Sequence, residues 1–432
     1  GGPMSTVCVH GLGYIGLPTA AVLADSGHDV AGYDTDEAVR DRVRSADVRL
    51  DEPGLSELLT SAVESGRLTV TDEVTEAQYH IICVPTPFDE ETRQPDLRYV
   101  DAAADAIRSA LRADDTVILE STVPPGTIDE HVRPTLERTG LEAGVDFGLA
   151  YCPETVLPGN ILEELRENDR IVGGVGPVPT EVAVELYESF VEATIRTTQN
   201  PTTAEFVKLI QNTFRDVNIA LANETARIAH DYDLDVREAI DFANRHPRVE
   251  ILSPGPGVGG HCLPIDPWFL GVGSDSLELI PTAREVNDGM SEFVVDLLRD
   301  LLGDLSGTKI AVLGAAYKKN VDDTRKSPGL ALARALTQGS EVPPPATDGG
   351  SPDGPEVVVH DPQVDDPLIE LTDLETAVTR ADAIVITTDH DEFEGLDPRA
   401  LGERMSARNV VDTKGTLRMQ RWRDAGFDTR RI

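Results

Sequence analysis

The chain has 432 residues, 40% of them hydrophobic, and carries 38 basic against 77 acidic side chains for a formal net charge of −39. That length exceeds one ordinary core, so two or three domains are expected, and nucleic acid is excluded as a partner because phosphate binding needs a basic footprint. No apolar run approaches the roughly 18 to 20 residues that span a bilayer, and no signal-like stretch precedes the first apolar run, which reads as a soluble cytoplasmic protein with no membrane partner.

The acidic residues are spread along the chain, and the basic set is six lysines and 32 arginines. A lysine-poor, acidic surface suits a salt-saturated cytosol, where the Debye length is roughly 3 Å at 1 M and self-repulsion is screened, so a halophilic source is expected. Cys8, Cys83, Cys152 and Cys262 lack the paired spacing of a zinc site, and no metal site is expected. Cys8 and Cys83 lie inside the strand-like runs TVCVHG and HIICVP and read as small buried hydrophobes.

From residue 6 to 175, TVCVHG, DVAGYD, HIICVP, TVILES, FGLAYC and RIVGG read as strands, with PTAAVLADSG and LRYVDAAADAIRSALR as helices between them. This alternation predicts a parallel, doubly wound α/β sheet. Between the first strand and first helix lies GLGYIG, the context in which GxGxxG marks a dinucleotide site. There Gly11 makes the tight turn, Gly13 lets backbone N–H groups approach a pyrophosphate, and Gly16 permits close helix packing, with Tyr14 and Ile15 between. Asp34 ends the second strand, where its carboxylate would bind a ribose 2′-OH and repel a 2′-phosphate, so NAD is favoured over NADP. VPTP and STVPPGT close two further strands, and Thr86 and Thr122 are candidate hydroxyl contacts to the nicotinamide half.

A different texture begins near Asn200. Thr202 and Glu205 read as a capping box, and Val207, Ile210, Phe214, Val217 and Leu221 then recur at spacings of three and four, predicting a long amphipathic helix. Lys208, Asn212 and Arg215 form a polar stripe beside them. The loop PGPGVGGHCLPIDPWF, residues 254–269, surrounds Cys262 with glycines that let a ligand approach the backbone, placing a thiol where a nucleophile could act. A second alternating region, TKIAVLGAAYK, EVVVHDP, DAIVITTDH and NVVDTKG, predicts another nucleotide-type α/β domain, interrupted at 341–356 by a Pro/Gly/Asp-rich exposed loop.

GLGYIG, VPTP, STVPPGT, CPETVLPGN, ENDRIVGG, the Lys208/Asn212 helix, PGPGVGGHCLPIDPWF and GAAYKKNVDDTRKSP, ordered over about residues 5 to 425, resemble the UDP-glucose/UDP-N-acetylmannosamine 6-dehydrogenase family, most closely its UDP-N-acetyl-D-mannosamine branch. The resemblance implies two Rossmann-like doubly wound domains joined by a central helical domain: an NAD-binding domain at 1–200, a helical dimerisation domain at 201–303 and a UDP-binding domain at 304–432. It implies a homodimer or higher oligomer and a catalytic cleft between the outer domains. The activity implied is four-electron oxidation of the C6 alcohol of a UDP-sugar to a carboxylate, with two NAD and a thiohemiacetal and thioester on Cys262.

By the same resemblance, Lys208 exchanges a proton with the C6 oxygen and Asn212 hydrogen-bonds the developing oxyanion, while Glu154 and Asp266 position or activate the hydrolytic water. Arg215, His246, Arg248 and Gly259 fall where the family contacts sugar or diphosphate, Lys318 where it meets UDP, and Arg325 where it reaches the cofactor. Thr155 stands where many relatives of this branch have arginine, removing a cation from the sugar side. The remaining readings are a UDP-glucose or UDP-N-acetylglucosamine dehydrogenase, a one-step 3-hydroxyacid dehydrogenase, against which Cys262 argues, and a non-catalytic nucleotide-binding module.

Overall fold

The computed structural model describes residues 4–47, 52–157, 159–337 and 354–432. These form two compact units: residues 1–211 with 268–275, and residues 212–267 with 276–432. The Pro/Gly/Asp-rich loop expected at 341–356 lies almost wholly outside the described residues.

The first unit is built on strands β1 Thr6–His10, β2 Asp29–Tyr33, β3 Leu68–Thr71, β4 Tyr79–Ile82, β7 Thr116–Leu119, β8 Gly148–Tyr151, β9 Arg170–Gly174 and β10 Ile195–Thr198, with a small hairpin of β5 Phe88–Asp89 and β6 Gln94–Pro95. The sheet order is β10-β9-β8-β7-β4-β1-β2-β3, so chain direction across the sheet reverses between β1 and β4. That switch point is where an open α/β sheet binds its ligand. Two apolar clusters cover the sheet: one joins Val7, Val9 and Ile81 to the first helix, Gly16–Asp25, and the other joins Val117 and Leu119 to the helix Arg98–Ile107.

One expectation is corrected. The RIVGG run forms β9, yet it pairs antiparallel with β8 through Ala150↔Gly174 and Tyr151↔Gly173. A continuous apolar run reports burial on both faces and carries no information about strand direction. The strands Leu68–Thr71 and Ile195–Thr198 were not read from sequence because half-exposed four-residue runs such as LTVT and IRTT give too little periodicity.

The long helix runs from Pro201 to Asp231, and the division between the units falls within it, after Gln211. Its expected capping box is absent. Asn200 Oδ1 accepts the Thr202 amide instead (2.9 Å), while Glu205 turns inward to accept the amides of Gly126 (2.6 Å) and Ile128 (2.8 Å). The predicted apolar stripe is not the buried one: Ile210, Phe214 and Leu221 are exposed and Val207 and Val217 only half-buried, whereas Glu205, Lys208, Asp216 and Asn223 are buried alongside Ala204, Leu209 and Ala222.

The second unit contains a parallel sheet of β11 Lys309–Leu313, β12 Glu356–His360, β13 Ala383–Ile386, β14 Asn409–Asp412 and β15 Asp428–Arg431, ordered β12-β11-β13-β14-β15. It too is doubly wound, with its switch point between β11 and β13. Ala222, Ala226 and Ile240 from the helical segment, with Met290 and Val294, share one core with Ile310, Val312 and Val385 of this sheet. A buried polar relay stiffens the helices: Arg284 donates to Asp216 (2.5 Å), Asn287 donates to Asp216 (2.9 Å), Asn223 donates to Asn287 (2.9 Å), and Gly255 N–H donates to Asn223 (2.8 Å). That last bond anchors the start of the cysteine loop.

Candidate active site

At the switch point of the first unit, Gly11 has φ +90°, and a Cβ there would lie 2.6 Å from the Cys83 carbonyl oxygen. A Cβ on Gly16 would lie 1.8 Å from the Gly11 oxygen, whereas one on Gly13 would meet nothing within 4 Å. The outer two glycines therefore permit the turn, and the middle one keeps the backbone approachable. The first helix begins at Gly16 with no side-chain cap; its Leu17 and Thr19 amides donate to the Gly13 and Ile15 carbonyls, so an anion would be met by the glycine turn ahead of the helix. Asp34 is aimed by two amides, Leu12 N–H to Oδ2 (2.8 Å) and Asp36 N–H to Oδ1 (2.9 Å). Tyr14 donates its hydroxyl to Glu52 (2.7 Å), and Ile15 packs on the apolar cluster. Thr86 Oγ1 donates to the Thr122 carbonyl (2.7 Å), tying the VPTP and STVPPGT loops together. Turn, uncapped helix and acceptor carboxylate fit a dinucleotide with a free ribose hydroxyl.

Beyond the end of β8 in the same unit, Glu154 meets Lys208 of the long helix. Lys208 Nζ donates to the Glu154 carbonyl (2.8 Å) and lies 3.4 Å from Glu154 Oε1, with side chains 8% and 13% exposed. The opposite carboxylate oxygen, Oε2, accepts the Val156 amide (2.9 Å). Beneath them is a cluster that sequence reading missed. Glu120 accepts the Tyr187 hydroxyl (2.5 Å) and the Cys83 thiol (3.4 Å), and Arg170 faces Cys152 and the Tyr187 and Phe190 rings. Burial raises the Glu120 pKa against the opposing Arg170 charge, and pushes Cys152 up to about 11, so this thiol is inert at neutral pH. Cys83 is half-buried and packs on the apolar cluster, as expected of a small hydrophobe in a strand, while its thiol also donates into this polar group.

In the second unit, the Cys262 carbonyl accepts the amides of Ile265 (3.1 Å) and Asp266 (2.9 Å), so the thiol stands at the head of one tight turn and is exposed. Asp266 is buried, begins the short helix Asp266–Gly271, and accepts a hydrogen bond from Asn212 (2.6 Å). The glycines before the cysteine are required by contact. Gly260 has φ +89°, its amide donates to the Arg325 carbonyl (2.9 Å), and a Cβ there would sit 2.8 Å from the Tyr317 ring. At Gly259 a Cβ would meet the Lys326 oxygen and Tyr317 Cβ at 2.7 Å. Burial, then the charges of Asp323 and Cys262, raise the Tyr317 pKa, and bidentate pairing with Asp323 raises that of Arg325, which also senses Cys262. Tyr317 escaped notice because its neighbour Lys318 carries the charge.

The structure pairs Lys208 with Glu154 and joins Asn212, Asp266 and Cys262. Arg215 is exposed one turn from Asn212 on the long helix. His246 and Arg248 form an exposed turn, the ring accepting the Arg248 amide (3.3 Å), and Lys318 is half-buried just past β11.

UDP-N-acetyl-D-mannosamine dehydrogenase of Methanococcus aeolicus is 42% identical over 434 residues, covering 99% of this chain and 95% of that protein. The structure of UDP-D-ManNAc dehydrogenase from Pyrococcus horikoshii matches with a TM-score of 0.89 at 42% identity, covering 99% of both chains. The NDP-N-acetyl-D-galactosaminuronic acid dehydrogenase of Ralstonia nicotianae is 41% identical over 95% of this chain and 96% of its own. Three models of the UDP-glucose/GDP-mannose dehydrogenase family match in order: the NAD binding domain over residues 5–191, the central domain over 202–289 and the UDP binding domain over 311–419. The chain belongs to the UDP-glucose/GDP-mannose dehydrogenase family. Membership makes it an NAD-dependent sugar-nucleotide dehydrogenase, and the crevice at β1 and β4 lies inside the matched NAD-binding segment. No helix among the described residues is long and apolar enough to cross a membrane.

Proposed function

We propose that this dehydrogenase oxidises the C6 alcohol of a UDP-N-acetylhexosamine, with UDP-N-acetyl-D-mannosamine preferred, to the uronate through a covalent intermediate on Cys262. The observation that carries this reading is the Cys262 turn, whose exposed thiol is joined through one carbonyl to a buried Asp266 that holds Asn212. Bound NAD supplies a hydride acceptor, used twice. Lys208, positioned by the Glu154 carbonyl, moves the proton at the C6 oxygen, and Asn212 donates to that oxygen as charge develops. Cys262 gives up its proton and adds to the aldehyde carbon, holding the aldehyde level as a thiohemiacetal and then as a thioester. Glu154 and Asp266 direct a water onto the thioester carbon; the C–S bond breaks, the thiol regains a proton, and the carboxylate leaves.

The N-acetyl preference is supported by relatives whose names carry N-acetylated sugars at 41% and 42% identity. Donors at His246, Arg248 and His261 suit an acetamido carbonyl, and a site built for such a group rejects an analogue lacking it because its donors go unmatched. The cofactor roles of Gly11, Gly13, Asp34, Thr86, Thr122 and Arg325, and the nucleotide role of Lys318, belong to the same reading. So do the functional segments 1–200, 201–303 and 304–432. A homodimer is proposed because Phe206, Ile210, Phe214, Leu221 and Ile228 present apolar side chains, each 44% or more exposed, along the long helix.

The test is NADH release and kcat/KM on UDP-N-acetylmannosamine, UDP-N-acetylglucosamine and UDP-glucose in molar potassium chloride. Two NADH per sugar are expected, with no carboxylate from Cys262→Ala. A one-to-one ratio with free aldehyde would remove the covalent mechanism, and UDP-glucose ranking first would remove the sugar assignment.

A further inference from the structure

The sheet face around the start of β1 carries three buried side chains that the dehydrogenase chemistry does not use. Cys8 and His10 alternate along β1 onto one face, and His80 on β4 pairs in register with Cys8, so the three side chains are neighbours. All are at most 1% exposed, Cys8 within the buried core and the two imidazoles as buried polar groups beside it. One ligand atom from each lies within 4.8 Å of the other two. His10 Nε2 and His80 Nδ1 are 3.2 Å apart. Two metal–nitrogen bonds of about 2.0–2.1 Å opened to a tetrahedral angle place their nitrogens about 3.3 Å apart, so this pair already stands at the spacing of two ligands on one ion. The outer nitrogens, His10 Nδ1 and His80 Nε2, are buried without a hydrogen-bond partner. Two imidazoles so placed cost about 1–3 kcal/mol per unmatched group, which an apolar pair would avoid.

We propose that Cys8, His10 and His80 form a closed site for one soft d10 cation that staples β1 to β4 beneath the cofactor turn. The ligand set, one thiolate and two neutral imidazoles, suits Cu+ and Zn2+. Charge count favours Cu+: with one thiolate it makes a neutral centre, whereas Zn2+ leaves a net positive charge in a dry interior. On binding, the Cys8 thiol releases its proton to solvent and the metal–sulfur bond forms. The hydrogen between the two rings moves to an outer nitrogen, so both inner lone pairs face the ion. No electron is transferred. Because His10 immediately precedes Gly11 and its carbonyl accepts the Cys83 amide (2.8 Å), the ion would brace the strands that flank the dinucleotide crevice.

The test uses the full chain, wild type and with Cys262→Ala to remove the exposed thiol. Each is titrated anaerobically with Cu+ buffered by a chromogenic chelator and, separately, with Zn2+, while melting is followed in parallel. One equivalent should bind in both proteins, with Cu+ the tighter ion and a melting temperature several degrees higher, consistent with ligand linkage. Cys8→Val, close in volume, and His80→Leu should each lose at least tenfold in affinity and the melting shift, with far-UV circular dichroism showing that each variant folds. The proposal fails if neither ion binds at one equivalent, or if binding persists in either folded variant. Tighter Zn2+ binding would overturn the choice of Cu+.

Discussion

Glu205 stands fully buried at the start of the long helix, holding the amides of Gly126 and Ile128. Burial outweighs those two donors and, with Asp129 and Glu130 adding to it, raises the carboxyl from 4.5 to about 7. The folded chain therefore holds this proton more tightly than the unfolded chain does. Its stabilising contribution is complete below about pH 4.5 and is lost as pH rises through about 7. The shift corresponds to roughly 3 kcal/mol in all, of which roughly 2 kcal/mol falls between about pH 5.5 and 7. For a unit of this size that is about 4–8 °C in melting temperature. Glu205→Gln removes the titration. Its carbonyl oxygen can accept one amide while its NH2 group faces the other, costing about 1–3 kcal/mol at pH near 5.5. Denaturant unfolding of both proteins from about pH 5.5 to 8 at constant molar salt should show the wild-type advantage shrinking as pH rises. A difference that stays flat across that range would refute a buried, protonated carboxyl.

Asp216→Ala should destabilise the second unit by about 1–3 kcal/mol, because it leaves the buried Arg284 guanidinium with Asp288 alone and removes the carboxylate acceptor of Asn287; a change in denaturant midpoint worth less than about 0.5 kcal/mol would contradict this. Asp34→Ser should raise the KM for NAD by about tenfold, equivalent to about 1.4 kcal/mol, and improve use of NADP relative to NAD, since the aimed acceptor and the repelling charge both go. An unchanged preference would show that Asp34 does not read the ribose. Melting temperature should climb through a potassium chloride series from low salt to about 3 M, because −39 of net charge repels itself when unscreened; a flat or falling curve would remove the halophilic reading.

Much of the chemistry was legible before folding because it depends on short spans. GLGYIG between a strand and a helix, Asp34 at the next strand end and the glycines before Cys262 are local constraints, and Gly11 and Gly260 do take positive φ values that side chains rarely adopt. The roles of Lys208, Glu154, Asn212 and Asp266 came only from resemblance, and the contacts of Lys208 with Glu154 and of Asn212 with Asp266 were not readable at all, since each pair is 54 residues apart.

Composition and periodicity determined the α/β class, two doubly wound regions, a long helix and a cysteine in a glycine-rich turn, because periods of 2 and 3.6 and turn residues are written within a few neighbours. Tertiary packing decided the rest. Whether β9 runs with or against β8, whether Glu205 caps its own helix or a loop nearly 80 residues earlier, and which side of that helix is buried all depend on groups distant in sequence. The buried side took Glu205, Lys208 and Asp216, which each found partners there, together with small or single apolar residues such as Ala204, Leu209 and Ala222, leaving Ile210, Phe214 and Leu221 outside. A hydrophobic pattern specifies that a face is to be covered, and only the assembled chain determines what covers it.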